Sequence, residues 1–507
     1  MTRRPAAPRL LAALCLAGLL AGPAHAAEST LRIGLQDDPD MLDPARARSY
    51  SGRIVFTALC DKLVDTAPDL TVIPQLATSW TLSEDGRALT FRLREGVAFQ
   101  DGEPFDAAAV KANMDRYVGL PDSLRKSELA SLDSVEAVDP HTVVLHLKHP
   151  DATLLAQLTD RAGMMLAPKA AAGPNFAAHP VCSGPYGFAQ RVAQDRIVLD
   201  RFPGYWNAAA YHFDHVVYLP IPDAAVRLAN LRSGDLDMIE HLAPTDVAAA
   251  RAMPALDVLR VAGLGYMNVL LNVGNGARAR TAFGSDGRVR QAFELSIDRD
   301  AINQVVFGGL YEPNNQPFPP TSPYHDEALP IRARDVDRAK SLLKQAGVAT
   351  PFPVELLVAN DSVTQQSAQV IQAMAAEAGF DVRLRVTEFA TLLREQQQGN
   401  YQASMLAWSG RIDPDGNIHQ FATCHGSINV TGYCNPEVDR LLDEARVTTD
   451  EAKRHALYDR AMAPLLADLP QLYLYTEPRL FALTRRLHGF VPHPDGLIRL
   501  QNVSRAD

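Results

Sequence analysis

The residues best suited to holding a ligand lie in one stretch, Leu406 to Asn417, which reads LAWSGRIDPDGN. An apolar run (Met405, Leu406, Ala407) ends in Trp408, and a flexible pair, Ser409-Gly410, follows. Next come a cation, Arg411, and two carboxylates, Asp413 and Asp415, on either side of Pro414. A flat ring offers a stacking surface, and a guanidinium can fork onto a carboxylate. A buried strand followed by a Gly/Pro-rich loop places that loop beyond the strand's carboxyl end, where open α/β sheets bind ligands. Taken alone, the stretch also fits a plain turn with a half-buried Trp and a surface ion pair.

Enzymatic chemistry finds little support. The chain contains no H-E-x-x-H, no G-x-S-x-G and no phosphate-cradling G-x-x-x-x-G-K-[ST]. Gly263-x-Gly265 lacks a third glycine and reads as a turn. Asp413-x-Asp415-Gly416-Asn417 resembles the start of a calcium loop, but the closing glutamate is absent. Two carboxylates two residues apart in one loop do not face opposite sides of a substrate, so an exported hydrolase built on them is the weaker alternative. His212 with His215 and His488 with His493 lack an acid or Cys at metal spacing. No catalytic residue, metal or cofactor is expected.

Elements that must position the stretch follow from length and patterning. At 507 residues the chain exceeds a single hydrophobic core, so two or three domains are expected. Hydrophobic residues make up 47% and charged ones 21%, an ordinary balance for a globular protein. A net charge of −10 argues against nucleic acid as a partner. Arg3, Arg4 and Arg9, the apolar run Leu10 to Gly22 and Ala24-His25-Ala26 form a secretory signal peptide cut after Ala26, which implies export to the periplasm. Four cysteines remain, Cys60, Cys182, Cys424 and Cys434, and an even count in an exported chain implies disulfides. Three connectivities are open; Cys424 with Cys434 closes a short loop and leaves Cys60 with Cys182.

Periodicity predicts strands over Thr30–Gly34, Leu89–Leu93, two around Asp139-Pro140, Pro353–Leu357, Asp381–Thr387 and Gln471–Tyr475. It predicts helices over Ile54–Val64, Ala107–Tyr117 with Asp106 as N-cap, Arg288–Phe307, Arg334–Ala346, Val363–Ala378, Glu437–Arg446 and Ala452–Leu465. The last thirty residues read as loop-rich. A β-α-β alternation around residues 353–387 marks an α/β lobe.

Several separated motifs carry a resemblance. Pro74-Gln75-Leu76-Ala77-x-Ser79-Trp80, Ser83-x-Asp85-Gly86, Thr90-Phe91-x-Leu93-Arg94-x-Gly96-Val97-x-Phe99 and Asp101-Gly102-x-Pro104-Phe105 come first. Ser183-Gly184-Pro185-Tyr186, Tyr205-Trp206, Gly234-Asp235-Leu236-Asp237, Ile297-Asp298-Arg299 and Asp337–Gly347 continue it. Together they resemble the extracellular solute-binding proteins of peptide/nickel-type ABC importers, the bacterial family 5 binding proteins. That resemblance implies an α/β, two-lobed periplasmic binding protein fold (type II, the large peptide-binding class with an extra subdomain) with a hinge between the lobes. The expected division is a signal peptide at 1–26, a first lobe from 27–50, 184–268 and 475–507, an extra subdomain at 51–183, and a second lobe at 269–474. It also implies a monomer that hands a small molecule or short peptide to ABC importer permease subunits in the inner membrane. A peptide-like solute is the expected cargo, with opines, sugar derivatives, nickel or haem as alternatives.

The resemblance sets the cleft between Ser49-Tyr50-Ser51 and the loop carrying Trp408, Ser409, Gly410, Arg411 and Asp413. In peptide-binding relatives a carboxylate three residues after this tryptophan holds the ligand's α-amino group. Arg411 stands there in this chain, and a guanidinium cannot take that role. Three readings of Arg411 are open: it binds a ligand anion in the cleft, braces the loop through Asp413 or Asp415, or lies in solvent. Trp408 reads as cleft wall or core. Tyr266 and Asn272, after the apparent lobe crossover, read equally as ligand contacts or scaffold.

Overall fold

The computed structural model describes residues 2 and 29–506; the expected signal peptide lies outside the described residues. Two large sheets organise the chain. The first has seven strands in the order Leu256–Val261, Arg479–Thr484, Met238–Ile239, Thr30–Leu35, His215–Pro220, Arg196–Arg201 and Tyr186–Val192. Thr30–Leu35 pairs in parallel with both His215–Pro220 and Met238–Ile239, while the outer pairings are antiparallel. The second sheet has six strands: Glu312–Pro313, Gln471–Thr476, Tyr266–Leu271, Ala403–Trp408, Phe352–Ala359 and Phe380–Thr387. Phe352–Ala359 runs parallel to both Phe380–Thr387 and Ala403–Trp408. A four-stranded antiparallel sheet within residues 77–147 packs on the helix Ala107–Gly119. Each of the three sheets has its own apolar core, as a mixed α/β fold of this length requires.

Only two segments join the large sheets. The chain leaves the first after Val261 and enters the second at Tyr266; it returns between Thr476 and Arg479. The two crossings press together, and the glycines there explain the G-x-G fragment. A Cβ on Gly263 would sit 1.9 Å from the Glu477 carbonyl oxygen, and one on Gly265 would sit 1.8 Å from that of Trp408. Gly410, at φ +82°, lies against Leu264. Any side chain at these positions would force the crossings apart.

Local chemistry moved several predicted boundaries. The helix expected over Ile54–Val64 spans Tyr50–Leu59, because the Ser49 hydroxyl accepts from the Gly52 N–H and Cys60 is extended. The run Arg288–Phe307 is two helices, Gly287–Leu295 and Arg299–Phe307, the second capped by Asp298. The tail expected to be loop-rich contains Arg479–Thr484, a strand inside the first sheet. Its continuous apolar run, Leu480 to Leu483, is buried on both faces and so shows no alternation. Cys60 is bonded to Cys182 and Cys424 to Cys434. Loop-closure entropy assigns about 4–5 kcal/mol to the long loop and about 2–3 kcal/mol to the short one.

Candidate functional site

The strand Ala403–Trp408 ends at the junction of the two sheets, and Asp415 opens the helix Asp415–Ala422, so the opening loop is short. Asn417 clamps it. Its side-chain oxygen accepts from the Trp408 indole N–H (3.0 Å) and the Arg411 N–H (2.8 Å), its amide donates to the Arg411 carbonyl, and its own carbonyl accepts from the Tyr266 hydroxyl. Trp408 packs edge-on against Phe421, and the Arg411 guanidinium stacks 4.2 Å from the Trp408 ring centre. These contacts fix the indole as a wall.

Behind that wall Arg411 meets Asp160, with Nε 2.6 Å from the carboxylate. The loop-bracing partners considered from the sequence are engaged elsewhere: Asp413 takes a forked pair from Arg454 (2.8 and 2.6 Å) and Asp415 one from Arg446 (2.7 and 2.8 Å). Both aspartates are buried structural anchors. Asp160, on a segment far away in the chain, had no sequence signal linking it to Arg411. Arg411 is also not solvent-exposed; it is 8% accessible.

Trp408 borders a cavity of about 90 Å³ between the sheets. At roughly 10–15 Å³ per water position, it has room for several waters or part of a small solute. Of the predicted residues, Tyr50, Trp408 and Ser409 line it. Ser49, Ser51, Tyr266, Asn272, Gly410, Arg411 and Asp413 do not. Ser49 caps a helix, and Asn272 donates to the carbonyls of Asn275, Gly399 and Tyr401, so both act as scaffold.

Two groups of charge border this cavity, and the sequence signalled neither. The first is basic. Arg53, Arg125, Arg161 and Arg411 gather around Asp160 and Glu128, and Arg125 and Arg161 line the cavity. All six side chains are buried. Arg53 donates to Asp160 (3.1 Å) and to the Ser409 hydroxyl (2.8 Å), Arg125 to Glu128 (2.6 Å), and Arg161 to the Ala47 carbonyl (2.5 Å). Among the described residues, Nε of Arg125, Nε of Arg161 and Nη2 of Arg411 find no acceptor. Burial would raise the Asp160 pKa, but Arg411 and then Arg53 hold it well below the usual carboxylate range. Burial and then Arg125 lower the Arg161 pKa to about 10, which leaves it charged at neutral pH.

The second group is acidic. Asp37, Asp361 and Glu477 line the cavity, with Glu240 close by. Burial pushes Glu240 up to about 6 and Glu477 up to about 7. Arg479 donates to the Ser409 carbonyl (2.7 Å) and stacks 5.1 Å from the Tyr50 ring centre. Tyr50 stands next to both groups: burial raises its pKa, while Arg479 and Arg53 lower it and Glu240 raises it. Its hydroxyl donates to the Gly496 carbonyl at 2.6 Å.

A cavity lined by charges, held between two α/β sheets joined by two close-packed crossings, defines a two-lobed periplasmic binding protein. Residues 71–429 match the model of the bacterial extracellular solute-binding proteins, family 5, and the chain belongs to that family. It is the solute-binding component of an ABC import system. Similar proteins include the glutathione-binding protein GsiB of Pectobacterium atrosepticum, 29% identical over 97% of each chain. The di/tripeptide-binding protein 2 of Pseudomonas aeruginosa is also 29% identical, over 95% of this chain and 96% of the relative. Among solved structures, AgaA of A. tumefaciens R10 in complex with agropinic acid has a TM-score of 0.85 at 28% identity, covering 94% of this chain and 99% of that one. The murein tripeptide binding protein MppA of Escherichia coli shares the fold at a TM-score of 0.87 and 23% identity, covering 95% and 99%. No helix among the described residues is long and apolar enough to cross a membrane.

Proposed function

We propose that this protein captures a peptide or peptide-like solute bearing a carboxylate in the cavity between its lobes and delivers it to an inner-membrane permease. The observation that carries this reading is the excess of buried cation beside the cavity. Four guanidiniums face two carboxylates, which leaves an excess of positive charge; three of their N–H donors lack an acceptor, although Asp160 Oδ2 and Glu128 Oε2 lack a donor as well. A buried charge without a partner is costly, and guanidinium forks match carboxylate geometry. A ligand carboxylate at Arg125 and Arg161 supplies both the charge and the acceptors. Glutathione, di- and tripeptides and agropinic acid, which three of the similar proteins bind, are all acids.

Trp408, Ser409 and Tyr50 form the wall against which the solute packs, while Gly410, Arg411 and Tyr266 hold that wall in place and Asn272 ties together the carbonyls of Asn275, Gly399 and Tyr401. Ser49, Ser51 and Asp413 act as scaffold. The first lobe takes residues 27–50, 184–268 and 475–507, the subdomain 51–183 and the second lobe 269–474; the strands support this division except at the crossings, where Tyr266–Leu271 and Gln471–Thr476 belong whole to the second sheet, and at the helix Tyr50–Leu59, which packs in the first core. The protein works without catalysis, as a monomer in the periplasm, after removal of residues 1–26.

A thermal-shift screen of peptides, opines and organic acids, each paired with its amide, tests the reading. The acids should raise Tm more than their amides in the wild type, and Arg161→Gln should erase the difference. Equal stabilisation by acid and amide would refute the carboxylate anchor.

A further inference from the structure

The acidic group borders the same cavity, and the carboxylate anchor leaves it unexplained. Its members lie past the carboxyl ends of four strands. Asp37 follows Thr30–Leu35, Glu240 follows Met238–Ile239, Asp361 caps the helix after Phe352–Ala359, and Glu477 follows Gln471–Thr476 on the return crossing. Their neighbouring cations are largely committed elsewhere. Arg227 donates to the carbonyls of Ile221, Pro222 and His241, and Arg479 donates to Ser409 and stands 3.8 Å from Glu477. Burial, Arg479 and Arg227 keep His241 well below its ordinary pKa, so it adds no positive charge at neutral pH.

Two of the lining carboxylates are incomplete. Neither Asp37 nor Glu477 accepts a hydrogen bond from any described residue, and Asp37 Oδ1 is fully buried. Glu477 is 8% exposed and Asp361 2%. Asp361 is occupied by the Thr364 N–H at 2.8 Å. The contrast with Asp413, Asp415 and Asp160 is direct, since each of those carries an arginine within 2.6–2.8 Å.

We propose that Asp37, Asp361 and Glu477 form a subsite for an organic cation, a primary ammonium or guanidinium carried by the solute. The proposal rests on reading the cavity as the solute site, and it narrows the solute to a compound with a cationic and an anionic end. An organic cation fits better than a metal ion: among the described residues no group of three His, Cys, Asp or Glu converges as metal ligation needs, whereas an ammonium or guanidinium donates several separated hydrogen bonds. The subsite also explains closure. Asp37 comes from the first sheet and Asp361 from the second, so like charges approach as the lobes close. A bound cation between them turns that repulsion into attraction, which ties closure to the loaded state.

The test uses the full chain and thermal shifts at pH 8 with di- and tripeptides, glutathione and amino-acid opines. Each compound is paired with its N-acetyl derivative, and both forms are also offered as carboxyl amides. Free-amine compounds should bind at least about tenfold more tightly than their N-acetyl partners. The double variant Asp37→Asn, Glu477→Gln should abolish that preference while keeping the preference for acid over amide. The variant removes unpaired buried charge, so its unliganded Tm should match or exceed the wild type. A panel in which no free amine outperforms its blocked partner overturns the proposal, as does a preference that survives in the double variant. If N-acetyl acids still raise Tm while amines give no advantage, only the cation subsite fails. If no compound raises Tm, the reading of the cavity fails with it.

Discussion

The basic and acidic groups beside the cavity are built on opposite plans. Around Asp160 the charges are braced from within: Arg411 and Arg53 reach the carboxylate at 2.6 and 3.1 Å, and Trp408 stacks on Arg411. Around Glu477 the carboxylates meet few donors, and burial lifts Glu477 up to about 7. The braced side is rigid before a ligand arrives and offers preformed N–H donors. The unbraced side stores repulsion that a ligand relieves. Buried ion pairs are weak sources of net stability, but removing one partner leaves the other uncompensated. Substitutions on the two sides should therefore change stability in opposite directions.

The largest effect is expected at Asp160. Asp160→Asn leaves Arg53 and Arg411 facing each other without their shared carboxylate, and it should cost about 3–5 kcal/mol in urea unfolding. Because the folded-state pKa of Asp160 is depressed, its contribution is present above the unfolded value near 4 and is lost as pH falls through the folded pKa. The deficit of the variant should accordingly narrow in acid.

Next comes Arg161→Gln, which should weaken carboxylate ligands by about 1.5–3 kcal/mol in isothermal titration, the range for a hydrogen bond to a charged group. Folding stability should change less, because among the described residues Arg161 donates to a backbone carbonyl, that of Ala47, and stands 4.0 Å from Asp160. Glu477→Gln tests the other side. The wild-type pKa is raised by burial, so its stability contribution is complete below the unfolded value near 4.3 and is lost as pH rises through about 7. The unliganded variant should thus gain roughly 1–3 kcal/mol relative to wild type on going from pH 5 to pH 8. Smallest is Tyr50→Phe, which removes the bond to the Gly496 carbonyl and should cost about 0.5–1.5 kcal/mol.

The same contrast shows what could be read from the chain. The two-lobed fold was legible through the family its separated motifs resemble, while the caps and the β-α-β alternation, being local, marked only an α/β lobe. The cysteines were legible as disulfides from their even count, and of three possible connectivities the short loop Cys424–Cys434 pointed to the pairing that the structure has. Trp408 and Ser409 line the cavity on the side where the resemblance set the cleft, Trp408 ending a buried strand and Ser409 following it. Of the three readings of Arg411, the bracing one named the wrong aspartates, since sequence proximity favours Asp413 and Asp415 while the fold brings Asp160 from a different segment. The strand Arg479–Thr484 carries no alternation because it is buried on both faces. Arg125, Asp37 and Glu477 sit on separate loops and Arg161 opens a one-turn helix, each an ordinary surface residue by type, and only the meeting of the two sheets makes them a site.

A crystal structure of the complex with the most stabilising solute of the paired panel tests the central claim most directly. The account predicts a ligand carboxylate about 3 Å from Arg125 or Arg161 and a ligand ammonium or guanidinium about 3 Å from Asp37 or Glu477. A solute seated with uncharged atoms against both groups, or bound outside the cavity, would contradict it.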